Sequence, residues 1–192
     1  MKRHWMMLGL AAALAGSLGG CAAVVAGGAA TGVLAASDRR TGGAQVDDQG
    51  IELKARRIGE KIPAAHVNVT AYNRAVLMTG EVPTEAARAE AELIVRAIPN
   101  VRQVYNYTEV APASSFAARN GDTWITTKVR TNLLQAQGFS PNHVKVVTER
   151  GVTYLMGLLT PSEAEAAARQ VSQTAGVQKV VTLFETISEI QP

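Results

Sequence analysis

One cysteine, Cys21, is present in 192 residues, so no internal disulfide can staple the fold and its stability must come from packed core. A strong charge of either sign is also missing. Lys and Arg number 19 against 16 Asp and Glu, a formal +3. Without Lys2 and Arg3, which fall in the signal segment described below, 17 bases face 16 acids and the net is about +1. Bulk charge therefore argues for no polyanion partner, and nucleic-acid binding is not expected. The leading apolar stretch, Trp5 to Leu18, falls short of the ~20 residues needed to cross a hydrocarbon core. Catalytic inventory is poor. Beyond the leader the histidines are His66 and His143, and neither a phosphate-loop signature nor a nucleophile elbow occurs, since Gly42-Gly43 has no following Lys-Ser/Thr. No enzyme, cofactor or metal site is expected.

What is present begins with a sorting signal. Lys2 and Arg3 form a charged n-region, Trp5–Leu18 an h-region, and Gly19-Gly20 the small residues before a cut, so residues 1–20 read as a signal peptide. Leu18-Gly19-Gly20-Cys21 looks like a lipobox, which makes Cys21 the expected lipidated residue of the mature chain. Ala22 follows, where aspartate would resemble an inner-membrane retention signal, and this favours the outer membrane, facing the periplasm. Residues 21–46 carry no periodic apolar face and read as a lipidated, flexible tether.

The remainder is a duplication. Asp48-Gln49-Gly50-Ile51 aligns with Asp122-Thr123-Trp124-Ile125, with Lys54 against Lys128 and Arg56 against Arg130. His66-Val67-Asn68-Val69 aligns with His143-Val144-Lys145-Val146, each followed at equal distance by Gly80 or Gly157. Within each copy the period changes in the same order. Ile51, Ala55, Ile58 and Ile62 share a helical face, as do Ile125, Val129, Leu133 and Ala136, and Asp48 and Asp122 are the expected N-caps. A hairpin follows, turning at Asn73-Arg74 and at Glu149-Arg150-Gly151. A second helix comes next, about Thr84 to Ile98 and about Ser162 to Ala175, and then a third strand, Val104–Tyr107 and Val180–Phe184. The expectation is α+β: two tandem αββαβ units, each a three-stranded mixed sheet with two helices on one face, over 47–112 and 122–192 with a linker at 113–121. Units of this size have marginal cores, which favours their packing on each other. His66 and His143, related by duplication, fall in separate units and so should not share a metal.

The first helix of the second unit stands apart. With Ile125, Val129 and Leu133 turned inward, Trp124, Lys128, Thr131 and Gln135 line a neighbouring face, with Thr127 and Leu134 beside them. Tryptophan beside lysine suits a lipid interface, where indole sits at headgroup depth and ammonium meets phosphate. The pattern serves equally well for a Trp124 packed between the two units.

The repeated unit resembles the BON domain in its glycine after the second strand and in Asn100-Val101 and Gly176-Val177 before the third. The whole chain is similar to the dual-BON outer-membrane lipoproteins. The resemblance is carried by Asp38-Arg39-Arg40, Gln45-Val46-Asp47-Asp48, Val67–Tyr72, Val104-Tyr105-Asn106, the run Asp122–Arg130, and Leu155-Met156-Gly157. It implies a non-enzymatic protein that binds an anionic phospholipid membrane through its second BON domain, gathers at the division site and supports envelope integrity. It also implies the outer-membrane β-barrel assembly machinery as a possible partner. Under it, Trp124, Thr127, Lys128, Arg130, Thr131 and Leu134 become the phospholipid-binding residues. The competing expectation is a protein-interaction or chaperone-like factor that uses open sheet faces or strand edges.

Overall fold

The structure, a computed structural model, describes residues 38–188; the expected signal peptide, Cys21 and most of the expected tether lie outside the described residues. The first repeat runs α1 (Gly42–Ala55), α2 (Arg57–Lys61), β1 (His66–Tyr72), β2 (Ala75–Val82), α3 (Glu85–Arg96), β3 (Gln103–Asn106) and β4 (Glu109–Val110). The second runs α4 (Phe116–Leu134), a 3-10 turn at Pro141–His143, β5 (Val144–Glu149), β6 (Val152–Leu159), α5 (Pro161–Ser172) and β7 (Lys179–Thr186). In each sheet the middle strand pairs antiparallel with the strand before it and parallel with the strand after the helix. The first sheet departs from three strands because its last strand is interrupted. The Thr108 N–H and hydroxyl both bond Asn106 Oδ1, and pairing with β2 resumes at β4.

Both leading helices start earlier than their aspartates. Thr41 Oγ1 accepts from the Ala44 N–H at 3.1 Å and Ser115 Oγ from the Ala118 N–H at 3.2 Å, and these hydroxyls are the N-caps. The last residues of the expected tether and of the expected linker are therefore helical. Asp48 and Asp122, expected as N-caps, instead sit buried within α1 and α4 and cap the hairpin turns. Asp48 accepts from the amides of Asn73 (2.8 Å) and Arg74 (2.7 Å), and Asp122 from those of Arg150 and Gly151, both at 2.9 Å. These turn residues have positive φ, so their amides leave the ladder and need a buried acceptor. One carboxylate thus joins helix to hairpin in each copy. The α5 helix also starts slightly ahead of expectation, where Thr160 and Glu163 form a reciprocal capping box with Pro161 in the first turn.

Three apolar clusters account for the packing. Ile51, Ile58, Val76, Met78, Ala91 and Val95 fill the space between helices and sheet in the first repeat. Val129, Leu133, Val146, Leu155, Ala167 and Val171 do so in the second. The third cluster lies between the sheets, where Tyr72, Ala75 and Leu77 meet Tyr154, Met156, Leu158 and Leu183. Because β2 and β6 are covered on both faces, Val76-Leu77-Met78 and Tyr154-Leu155-Met156 are continuous apolar runs with no alternation. Polar bonds seal the seam: Asn68 Nδ2 donates to Glu149 at 2.8 Å, Arg150 pairs with Glu109 at 3.1 Å, and the Tyr107 and Tyr154 rings stand 5.0 Å apart. Burial pushes the Tyr154 hydroxyl up to about 12 and raises Glu149 above the usual carboxylate range. The described residues from Arg39 onward are accordingly one compact unit.

The chain entering the first repeat is fastened to the second. Arg39 donates to both Glu163 oxygens, at 2.6 and 2.8 Å, and to the Leu158 carbonyl at 2.8 Å. The Arg39 hydrogen bonds hold the Glu163 carboxyl down to about 2, against the opposing pull of burial and with help from the Thr160 amide. A folded value depressed below 4.5 means that this contribution is complete above about pH 5 and is lost only as the pH falls toward 2. A carboxyl titration of Glu163 followed by NMR should therefore rise toward the ordinary glutamate range in Arg39→Gln. An unchanged midpoint would mean that the fork does not form in solution.

Candidate functional site

Asp122 fixes α4 against the β5–β6 turn, and Val129 and Leu133 pin it to the core, so the opposite side of α4 faces solvent. Trp124 is 64% exposed and Leu134 71%, with Thr127, Arg130 and Thr131 exposed between them. Trp124 takes no part in the cluster between the sheets. The threonine hydroxyls turn back onto the helix: Thr127 donates to the Thr123 carbonyl at 2.9 Å and Thr131 to the Thr127 carbonyl at 3.0 Å. This leaves their methyl groups on a surface less polar than its composition implies.

The two cations expected at the site flank this face. The Lys128 ammonium donates to the Ala175 carbonyl just beyond the C-terminus of α5, where a positive charge also complements the helix dipole. Arg130 lies on the other flank, at the rim of a groove of about 540 Å³. One wall of the groove is Thr127, Arg130, Thr131 and Leu134 of α4, and the other is Pro141, Asn142 and Lys145. The first repeat adds Arg40 and Tyr72. Arg40 bonds Asp48 at 2.8 Å and stands 4.3 Å above the Tyr72 ring, and Lys145 bonds Glu52 across the repeats at 2.9 Å. No acidic residue lines the groove among the described residues.

The site is thus one helix face with a groove along its edge. It unites Trp124, Thr127, Arg130, Thr131 and Leu134 and directs Lys128 elsewhere. Arg40, Tyr72 and Lys145 had no sequence signal, because each comes from a different element and only the packing of the two repeats brings them together. The first repeat presents Val46 (70% exposed) and Leu53 (62% exposed) on its own leading helix, with Gly50 where the second has Trp124. Of the surfaces named in the competing expectation, the sheet faces turned toward each other are covered among the described residues, since they pack together in the third cluster.

His66 Nδ1 lies 3.2 Å from buried Glu81, and the His143 carbonyl accepts from the Tyr72 hydroxyl at 3.4 Å. Among the described residues no three His, Cys, Asp or Glu side chains are placed to hold a metal, and no helix is long and apolar enough to cross a membrane.

The BON domain family matches residues 47–112 and 121–187. The chain is 38% identical over 172 residues to the outer membrane lipoprotein DolP of Haemophilus influenzae, covering 88% of this chain and 89% of that protein. It is 32% identical over 154 residues to the 21 kDa hemolysin of Actinobacillus pleuropneumoniae, covering 78% and 79%. Against the osmotically-inducible protein Y of Escherichia coli the identity is 24% over 147 residues, covering 73% of each. A solved C-terminal domain of CdsD, from the type III secretion system of Chlamydia trachomatis, matches 71% of this chain and 96% of that one. Its identity is 13% and its TM-score 0.30, too low to bear on function. Fold, repeat and matches together define a tandem BON-domain protein. More narrowly, the chain belongs to the DolP family of dual-BON outer membrane lipoproteins.

Proposed function

We propose that this protein is a non-enzymatic membrane-surface module, lipid-anchored at Cys21 in the periplasmic leaflet of the outer membrane, which reads anionic phospholipid with the outer face of α4. The observation that carries the reading is the exposure of Trp124 and Leu134 on one face of a helix whose other side is locked into the core. An exposed indole beside aliphatic and methyl groups, with Arg130 on its flank, suits the headgroup boundary, where one end of a tryptophan is apolar and the other wet.

The anchor and the face do different work. Each buried acyl CH₂ contributes ~0.8 kcal/mol, whereas a cation near an anionic leaflet adds only about 1 kcal/mol. Retention is therefore set by Cys21, and α4 biases where on the surface the anchored protein dwells, including enrichment at the division site and support of envelope integrity. A fatty-acid label taken up by the native chain should be lost in Cys21→Ala; label persisting on that variant overturns the anchor.

The face itself is tested on the soluble unit from residue 39 onward, in which Trp124 is the only tryptophan. Its emission should shift to the blue, and the protein should sediment, with vesicles containing phosphatidylglycerol and not with phosphatidylcholine alone. Unchanged emission with both overturns the reading.

A further inference from the structure

We propose that a cleft in the first BON domain, between the α1–α2 corner and the C-terminal end of α3, docks an acidic segment of a partner protein. The demand for an anion comes from the cleft itself, and the choice of a protein as its occupant rests on the membrane reading of α4.

The cleft has a volume of about 170 Å³, with Lys54, Arg57 and Lys61 on one wall and an apolar wall that includes Ile94, Ala97 and Pro99 on the other. All three cations are exposed, and among the described residues none makes a side-chain hydrogen bond or ion pair. No acidic side chain lines the cleft among the described residues. Of the carboxylates nearby, Asp47 is taken by Arg74 and Asn100 and Glu92 by Arg96, while Glu60 and Glu90 are exposed and stand outside the lining.

The duplication shows that the fold does not need these charges. Lys54 corresponds to Lys128 and Pro99 to Ala175, and in the second repeat Lys128 closes this corner by donating to the Ala175 carbonyl. In the first repeat Lys54 makes no such bond, and the corner stays open. Thr131 and Gln135 stand where the first repeat has Arg57 and Lys61, so a neutral residue serves the same backbone at both places.

Unpaired ammonium and guanidinium groups recognise carboxylates, and the opposite wall offers them nothing. That wall takes an apolar side chain, since a void of about 150 Å³ is enough to hold a benzene ring. Leu53, beside Lys54, and Leu93, one turn before Ala97, are exposed and extend the apolar surface on either bank. A peptide with acidic residues around an apolar one satisfies both walls, whereas a bare polyanion leaves the apolar one unused. The bilayer is not the occupant because of the layering. The three apolar clusters order the described residues as helices, sheet, sheet, helices, so α1 and α3 form the outer layer opposite that of α4 and α5. With α4 on the leaflet, the cleft opens to the aqueous side.

The experiment uses the unit from residue 39 onward and four probes: a short synthetic peptide of aspartate, glutamate and leucine, its counterpart with asparagine and glutamine replacing the acids, polyglutamate, and vesicles containing phosphatidylglycerol. The acidic leucine peptide should shift the NMR signals of Lys54, Arg57 and Ala97 saturably, and the amide counterpart should not. Lys54→Gln, Arg57→Gln and Lys61→Gln should each weaken peptide binding about two- to fivefold, with native melting because none of the three holds the fold. Ala97→Glu sets a carboxylate on the uncharged wall at an exposed position and should weaken it as well. Absence of peptide-induced shifts at the cleft, or glutamine variants that all bind the peptide as the native chain does, overturns the proposal. Equal binding of polyglutamate overturns the part given to the apolar wall. Vesicle partition lost in the glutamine variants would make the cleft a membrane contact and overturn the protein as occupant. Trp124→Glu should abolish vesicle partition and leave the peptide bound, so the cleft and the α4 reading fail separately: a native chain that binds the peptide and no vesicle sinks only the latter.

Discussion

Trp124→Glu should abolish binding to anionic vesicles while the protein melts as the native chain does. Trp124 is 64% exposed and outside all three apolar clusters, so its replacement falls with surface substitutions, within about 0.5 kcal/mol of neutral. At the membrane the same ring is an anchor. Burying roughly 100 Å² of indole at ~25 cal/mol per Å² gives ~2.5 kcal/mol, or about a 70-fold loss of partition, before the new carboxylate is set against lipid phosphates. The two measurements must be made together. Native-like melting with lost partition supports insertion. A fall in melting temperature would show that the indole packs in the protein in solution, and retained partition would show that another surface does the binding.

Much of this architecture was legible because a duplicated sequence repeats its physics. The apolar positions Ile51, Ala55, Ile58 and Ile62 and their counterparts Val129 and Leu133 are buried as the helical period requires, and the turns at Asn73-Arg74 and Arg150-Gly151 fall where expected. The aspartates were found but misread. An Asp ahead of an apolar period has the same local signature whether its carboxylate takes amides of its own helix or amides of a hairpin turn more than twenty residues later. Tertiary geometry alone separates the two. The packing of sheet on sheet did have a signal, since Tyr154-Leu155-Met156 is apolar where a strand with one wet face would alternate, but a short apolar run is ambiguous by itself. The groove had none. Arg40, Tyr72, Arg130 and Lys145 belong to four separate segments, and no periodicity links a guanidinium before α1 to an ammonium on β5. For Lys128 the helical wheel placed the residue near the right face, but not the carbonyl of Ala175 that its ammonium finds there.

The second large effect is expected at the glycine that the two repeats share, Gly80 and Gly157. In the first repeat Gly80 has φ +99°, and a Cβ built there would lie 2.0 Å from the His66 carbonyl oxygen on β1. In the second, Gly157 has no positive φ and its Cβ would lie 2.5 Å from the His143 carbonyl oxygen. Both contacts are with backbone, which cannot swing aside as a side chain can, but only Gly80 adds a conformation that L residues avoid. Gly80→Ala should therefore cost ~2 to 5 kcal/mol, combining about 1–2 for the left-handed backbone with 1–3 for forced displacement, and Gly157→Ala only the displacement part. In a unit of about 150 residues each kcal/mol lowers the melting temperature by about 2–4 °C, so Gly80→Ala should melt roughly 4–20 °C below the native chain. Relief by moving β1 outward would carry away His66, whose ring faces Glu81, and Glu81 is also the partner of Arg150 from the other repeat. Loosening should thus spread into the seam between the sheets and be seen as lost hydrogen-exchange protection at Glu149–Gly151 as well as on β1. Thermal melting of both alanine variants decides the matter: equal losses would mean that steric approach alone sets the need for glycine, and a native-like Gly80→Ala would mean that β1 accommodates a methyl group and that the strain argued here is absent.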